Sequence, residues 1–397
     1  MTDNDRIVRV AAKGDGVTAD GRHVAGAAPG DLLRADGTLE HGPARQAPPC
    51  RHFPACGGCQ LQHLDDAAYA DFVRDRVVGG LAAQRLEADV RPAIVSAPRT
   101  RRRATLHAEK TPKLTIGFSE SGSHRLIDLA ECFILDPRLF ALVAPLRRLL
   151  PPLMRPKRRV EIGMSLTDQG VDVLLRGIEA DGLAAAEALS AFGEAHGLVR
   201  LSVDAGWGLE TRYEPIGATV SFAGVAVPFP AGAFLQATPE GEAALVAAVR
   251  AAVGDVSPVA DLFAGLGTFT FALPGRVYAA EGARDAVMAL KAGAARAQRQ
   301  VFAEHRDLFR RPLMPSELDR FGAVVLDPPR AGAREQAEQL ASSAVPVIAY
   351  VSCNPSSFAR DAKLLCEKSY RLDWVQPVGQ FRWSTHVELA ARFSRQG

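Results

Sequence analysis

Val259-Ala-Asp261-Leu-Phe263-Ala-Gly265-Leu-Gly267-Thr268-Phe-Thr270 is a short apolar run that ends in an acid and breaks into glycines. A run of this length closed by a turn fits a strand buried on both faces. The glycines let backbone approach a ligand closely, at what is expected to be a helix N-terminus. The pattern is close to a dinucleotide fingerprint, but Thr270 stands where the third glycine belongs. Working outward, residues 277–280 are apolar and end in Glu281, 14 residues past Gly267 and short of the ~20 expected for NAD ribose recognition. Residues 323–326 end in Asp327, and 345–351 end in Ser352-Cys353. A helical pattern over 239–253 precedes the first strand. Apolar strands alternating with helices predict βαβ units around a parallel sheet, whose ligands bind beyond the carboxyl ends of the strands. Asp261, Glu281, Asp327 and Cys353 all fall there.

The upstream chain has a different texture. Residues 6–34 read as short strands broken by glycine, and 42–49 as a polar, proline-containing linker. A helical pattern occupies 66–87 through Ala67, Ala70, Val73, Val77 and Leu81. Between 100 and 230, strand-like runs at 113–118 and 171–175 mix with helical stretches near 137–150 and 181–196, an α+β region. Three parts are expected: a small β segment over 1–46, a central α+β domain over 47–232, and an α/β catalytic domain over 233–397. A helix over about 66–92 could pack on the last of these.

With 397 residues, more than one core is expected. Hydrophobic residues at 47% and charged residues at 23% are ordinary for a globular chain. No apolar run reaches the ~18 residues of a membrane span, so no membrane partner is expected. The acidic, polar N-terminus is unlike a secretory signal, which points to the cytoplasm. A net charge of +2 argues for no nucleic-acid partner by itself. Local clusters, Arg99 with Arg101 to Arg103 and Arg155 with Lys157 to Arg159, are consistent with one, or with solvated faces.

Ser352-Cys353-Asn354-Pro355 predicts a helix start, with Asn354 as cap and Pro355 at the first helical position. A cysteine there is expected to have a lowered pKa and to act as a nucleophile. Cys366, beside Leu364 and Leu365, reads instead as a small hydrophobe. Asp327-Pro328-Pro329-Arg330 fixes the direction of its aspartate, and Arg330, where amino-group methyltransferases place an aromatic residue, argues against stacking an exocyclic amine. Glu388, in the strand-like stretch from His386 to Phe393, is a late carboxylate available as a base. Cys50, Cys56, Cys59 and the distant Cys132 could supply four thiolates. Zinc, with His52 or His63 as further candidates, and a 4Fe-4S cluster both suit that spacing.

An acid, Gly-x-Gly and a second acid ending the next strand resembles the class I S-adenosylmethionine (SAM) methyltransferases. Taken with the other motifs, nearly the whole chain resembles the bacterial RNA uracil-C5 methyltransferases, the TrmA/RumA (RlmD) family. The residues carrying this are Cys50 to His63 with Cys132, Phe234-Leu-Gln236, Ser352 to Pro355, and His386-Val-Glu388. The resemblance implies a Rossmann-like SAM domain and an iron–sulfur (4Fe-4S) cluster held by Cys50, Cys56, Cys59 and Cys132. It also implies SAM contacts from Gln236, Phe263, Gly265, Gly267, Thr268, Glu281, Asp307 and Asp327. Cys353 would be the nucleophile, Glu388 the general base, and Asp327 would orient substrate or cofactor. Thr238 and Thr268 stand where the family often has asparagine. The N-terminal RNA-binding barrel, TRAM, is cut down to the β segment over 1–46. By the same likeness the partner is RNA, ribosomal (23S) in preference to the tRNA T-loop, with no obligate protein partner evident. A non-catalytic iron–sulfur RNA-binding protein and an exocyclic-amine methyltransferase are the alternatives.

Overall fold

The structure is a computed structural model that describes residues 5–111, 113–155 and 157–396. Its C-terminal sheet is built on five parallel strands, Val259–Leu262, Val277–Glu281, Val301–His305, Ala323–Leu326 and Val347–Ser352. An antiparallel pair, Tyr370–Gly379 and Glu388–Arg395, completes it. Numbered in chain order from Val259–Leu262, the seven strands lie in the order 3-2-1-4-5-7-6. Alternation along each strand fills both faces. Ala260, Leu262, Val324, Leu326, Ile348 and Tyr350 join one core cluster, while Val259, Ala323, Val325, Ala349 and Val351 join another. The second is closed by the helix Pro239–Val253, which begins at a Thr238 cap accepting from Gly241 N, with Pro239 at its first position.

The first face is covered from far upstream. The helix Asp66–Ala83 lies against the helix Pro355–Cys366, and Asp89–Val90 and Ile94–Val95 extend the sheet by pairing parallel with Tyr370–Gly379. Gly80 permits the close helix contact, since a Cβ there would stand 3.0 Å from the Pro355 carbonyl oxygen.

A separate six-stranded sheet runs from Leu209–Tyr213 through Arg200–Asp204, Val171–Arg176, Val160–Leu166 and Arg103–Thr111 to Lys113–Gly117. Its core joins Leu106, Ile162, Val173 and Leu201 to Leu146, Leu189 and Phe192 of the helices beside it. The helical stretch expected near 137–150 is split into Pro137–Phe140 and Val143–Leu149. Pro145 explains the split, because its ring would strike the carbonyl of residue 141 in a continuous helix. At the N-terminus, Ile7–Val10, Gly16–Thr18 and His23–Val24 make a three-stranded sheet, and Leu32–Leu33 pairs with Leu39–Glu40. Buried Asp31 ties these turns together by accepting from Ala28 N, Gly42 N and Arg45. Among the described residues no helix is long and apolar enough to cross a membrane.

Candidate active site

The strand that ends at Ser352 delivers Cys353 to the carboxyl edge of the sheet. Asn354 caps the next helix, accepting from Ser356 N at 3.1 Å, and Pro355 takes the first helical position as expected. The antiparallel register pairs Ser352 with Leu389, so the next rung sets Glu388 beside Cys353. Asp327 follows the adjacent strand, with its own N–H donated to Leu262 O at 3.2 Å. Two glutamines brace it. Gln236 Nε2 lies 3.5 Å from Asp327 Oδ2, and Gln236 Oε1 accepts from Gln380 Nε2 at 2.8 Å. Gln380 Oε1 in turn accepts from Ala237 N at 2.8 Å.

Two carboxyls and a thiol thus share one partly dry corner. Burial lifts Glu388 to about 7, opposed by the Gln380 side chain. Burial, and then the charge of Glu388, lifts Asp327 well above the usual carboxyl range. Cys353 is pushed up to about 11 by burial and then by Glu388 and Asp327. The lowered pKa expected from a helix N-terminus is therefore corrected. Desolvation and two neighbouring carboxylates outweigh a dipole that falls off within a single turn.

Glu281 anchors the other end. Its carboxylate accepts from Gly265 N at 2.9 Å and from Ala283 N at 2.7 Å, stitching the glycine loop to the following strand. Phe263 holds a left-handed backbone (φ 64°), uncommon without glycine, and its ring lies 5.4 Å from that of Phe309. Asp307 accepts from Phe309 N at 3.0 Å. Between the two ends lies one cleft of about 770 Å³, within the usual size of small-molecule sites. Gln236, Phe263, Gly265, Thr268, Glu281, Asp307, Asp327, Cys353 and Glu388 all line it.

Three sequence expectations change here. Gly267 does not line the cleft; it has φ 98°, and a Cβ would meet the Phe271 ring at 2.6 Å, so its role is to let the loop pack. No α-helix follows the loop, only the 3₁₀ turn Thr270–Ala272, because Pro274-Gly275 stops the chain before the next strand. Asp261 is fully buried behind that turn and accepts from Thr270 Oγ1 at 2.5 Å rather than facing a ligand. Thr238, the departure noted beside Gln236, is a buried cap that also bonds Ser96 Oγ at 2.6 Å. The sequence reading missed Phe309, Phe381 and Gln380 and assigned His386 and Arg330 no contact. All of these but Gln380 line the cleft. Isolated glutamines and aromatics carry no spacing signal, though proximity in sequence to Glu388 points to three of these residues.

The four cysteines meet in a second, closed pocket with Phe53, Gln62, Phe118 and Ile134 around them. Burial raises all four thiols, Cys59 to about 12, and they act on one another electrostatically. Neither His52 nor His63 lines the pocket; His52 Nε2 accepts from Ala130 N at 3.0 Å. Among the described residues no three His, Cys, Asp or Glu side chains stand at metal-holding distances. The donor set, four thiols on one apolar pocket, still fits a thiophilic metal or cluster. Trp383, between the cleft-lining Phe381 and His386, packs on Cys59, and its carbonyl accepts from Gln60 N and Leu61 N at 2.8 and 2.9 Å.

A 3-2-1-4-5-7-6 sheet with one cleft at its carboxyl edge is the fold of the class I SAM-dependent methyltransferases. A family model described as tRNA (Uracil-5-)-methyltransferase matches residues 231–396. A protein of Zymomonas mobilis described as an uncharacterized RNA methyltransferase is 50% identical over 394 residues, covering 98% of this chain and 99% of that protein. The 23S rRNA (uracil(1939)-C(5))-methyltransferase RlmD of Chromohalobacter salexigens is 34% identical over 90% of this chain and 78% of its own length. In fold, the crystal structure of Pyrococcus abyssi tRNA (uracil-54, C5)-methyltransferase with S-adenosyl-L-homocysteine is similar at 22% identity, with a TM-score of 0.74 over 98% of both chains. The chain belongs to the RNA uracil-C5 methyltransferase family.

Proposed function

We propose that this chain transfers a methyl group from SAM to carbon 5 of a uridine in RNA, through a covalent bond between Cys353 and carbon 6. The observation that carries the reading is the pairing of Glu388 beside Cys353 at the floor of the cleft that Glu281 closes at its far end. Bound SAM supplies an electrophilic methyl group and a positive sulfonium. We assign its ribose to Glu281, its adenine to the Phe263–Phe309 wall with Asp307, and its amino-acid end to the side of Gln236 and Asp327. Gly265 and Thr268 form the floor between.

The target uridine leaves its stack to reach Cys353, at a cost of a few kcal/mol. With a thiol near 11, roughly one Cys353 in ten thousand is ionised at pH 7. A cation in the cleft beside Asp327 and Glu388 shifts that balance toward the thiolate. The thiolate adds to carbon 6, and the ring's double-bond electrons move to carbon 5 and the O4 carbonyl. Asp327 orients the ring. Carbon 5 takes the methyl group, and the C–S electron pair leaves with the donor sulfur. Glu388, poised near 7, removes the carbon 5 proton; the double bond re-forms and the thiolate leaves.

We assign Cys50, Cys56, Cys59 and Cys132 to a 4Fe-4S cluster, which would tie residues 50–59 to residue 132 and brace Trp383. We read the parts as 1–46, 47–232 and 233–397, with residues 66–95 lent to the catalytic sheet. Ribosomal RNA is the preferred substrate, supported by likeness to an RlmD protein along most of the chain. The tRNA-named family model favours the T-loop as the second reading. Incubation with unmodified 23S rRNA and tRNA decides which gains 5-methyluridine. The chemistry is tested by Glu388→Gln, expected to stall with RNA bound through Cys353 in a denaturation-resistant band. Cys353→Ala is expected to give neither product nor band. Normal turnover by either variant refutes the covalent route.

A further inference from the structure

Around the mouth of the cleft, positive charge gathers that no carboxylate pairs with. Arg76 of the helix Asp66–Ala83, Arg101 ahead of the strand Arg103–Thr111, and Arg330 after Asp327-Pro-Pro all bear electrostatically on the exposed ring of His386. Among the described residues, none of the three has a carboxylate within ion-pair distance. Nearby arginines differ, since Arg102 takes Glu242 and Arg382 takes Asp66. Arg76 goes further, as its Nε is buried with no hydrogen-bond partner.

Their placement is built rather than incidental. Arg76 lies one helical turn before Gly80, the residue pressed against Pro355, so its face of the helix looks toward the chain just after Cys353. The Arg330 carbonyl accepts from Asn354 Nδ2 and Ser357 Oγ, each at 3.1 Å, which pins that backbone and leaves the guanidinium exposed beside the cleft. The Arg101 guanidinium lies 5.1 Å over the Phe381 ring, and its Nε donates to Arg103 O at 3.0 Å. Arg330, Phe381 and His386 line the cleft itself. Burial disfavours the charges of Arg76 and Arg101, at Arg101 with Arg103 adding to the cost and Cys132 and Cys59 opposing it, and an incoming anion offsets what remains.

Unpaired guanidinium groups present a planar fork suited to phosphate oxygens. A uridine swung into the cleft keeps its backbone outside, with a phosphate on either side of it. We propose that Arg76, Arg101 and Arg330 form one phosphate-binding rim that holds the RNA backbone flanking the uridine. This rests on the RNA reading above and adds to it the residues that seat the strand.

The test uses the whole enzyme and a fluorescein-labelled RNA that the wild type methylates, with binding followed by anisotropy from 50 to 200 mM KCl. Each of Arg76→Gln and Arg330→Gln should flatten the plot of log affinity against log salt by about 0.7–0.9, the loss of one phosphate contact. KM for RNA should rise while kcat is largely kept, and Arg76→Lys should restore the slope. Arg330 is exposed, so its variant stays informative if Arg76→Gln folds poorly. A wild-type slope in either folded variant overturns the shared site. Failure of the underlying reading looks different: the wild type itself would yield no 5-methyluridine in any RNA.

Discussion

Glu388→Gln should stabilise the protein at pH 8 while destroying turnover. Glu388 is 6% exposed, and burial lifts its carboxyl from an ordinary 4.5 to about 7. That displacement corresponds to about 3 kcal/mol in favour of the neutral form. The sign follows from proton linkage. A folded pKa above the unfolded one gives stability that is fully present below 4.5 and is lost as pH rises through about 7. The wild type should therefore lose about 3 kcal/mol from this group between pH 4.5 and pH 8, whereas glutamine, which does not titrate, should not. Relief of the like charge on Asp327 adds in the same direction. Urea unfolding at both pH values, read on the catalytic domain, gives the comparison: near equality at pH 4.5 and a gap of about 2–3 kcal/mol favouring Gln at pH 8. The same substitution should lower the Cys353 pKa, which Glu388 raises, and so speed iodoacetamide labelling mapped to Cys353. A gap that does not change with pH, or labelling no faster than wild type, refutes the shared electrostatic corner.

Glu281→Ala should weaken SAM binding by roughly 1.5–3 kcal/mol, the worth of hydrogen bonds to a charged group, measured by calorimetry. It also strands Gly265 N and Ala283 N, so unchanged affinity would mean the acid serves only the loop. Anaerobically purified protein should be brown with broad absorption near ~400 nm, and Cys59→Ala should cost folding of the central part before chemistry. Colourless protein with stoichiometric zinc would reverse the cluster assignment.

What the sequence disclosed depended on whether a signal was local. Asn354-Pro355 is a cap and a first-turn proline in adjacent positions, so the helix after Cys353 could be placed to the residue. Four of the five parallel strands were legible because each is an apolar run ended by an acid or a cysteine, whereas the edge strand Val301–His305, with Glu304 and His305 in it and only Ala303 buried, shows no such run. Asp261 ends such a run as Glu281 and Asp327 do, yet it turns inward to Thr270. Strand-end position alone does not say on which side of the loop a carboxyl lies. The helix after residue 66 showed in its apolar spacing and was expected to pack on the catalytic part, but the pairing of 89–95 with a strand about 285 residues later, and the Gln236–Gln380 bond across 144 positions, left no periodic trace.

The thiol shows most clearly why local motif and tertiary setting must be weighed together. A helix start beside Cys353 offers partial positive charge worth at most about 1–2 kcal/mol, whereas two carboxylates in the same dry corner oppose ionisation more strongly. Taken alone, the corner is a poor nucleophile and a well-placed base. On the reading proposed above, it becomes a methyl-transfer site when the cationic donor lies against Asp327 and Glu388. That reading couples reactivity to occupancy. Since oxidation and alkylation proceed through the thiolate, a thiol raised to about 11 should react more slowly with them in the empty cleft than one of ordinary pKa.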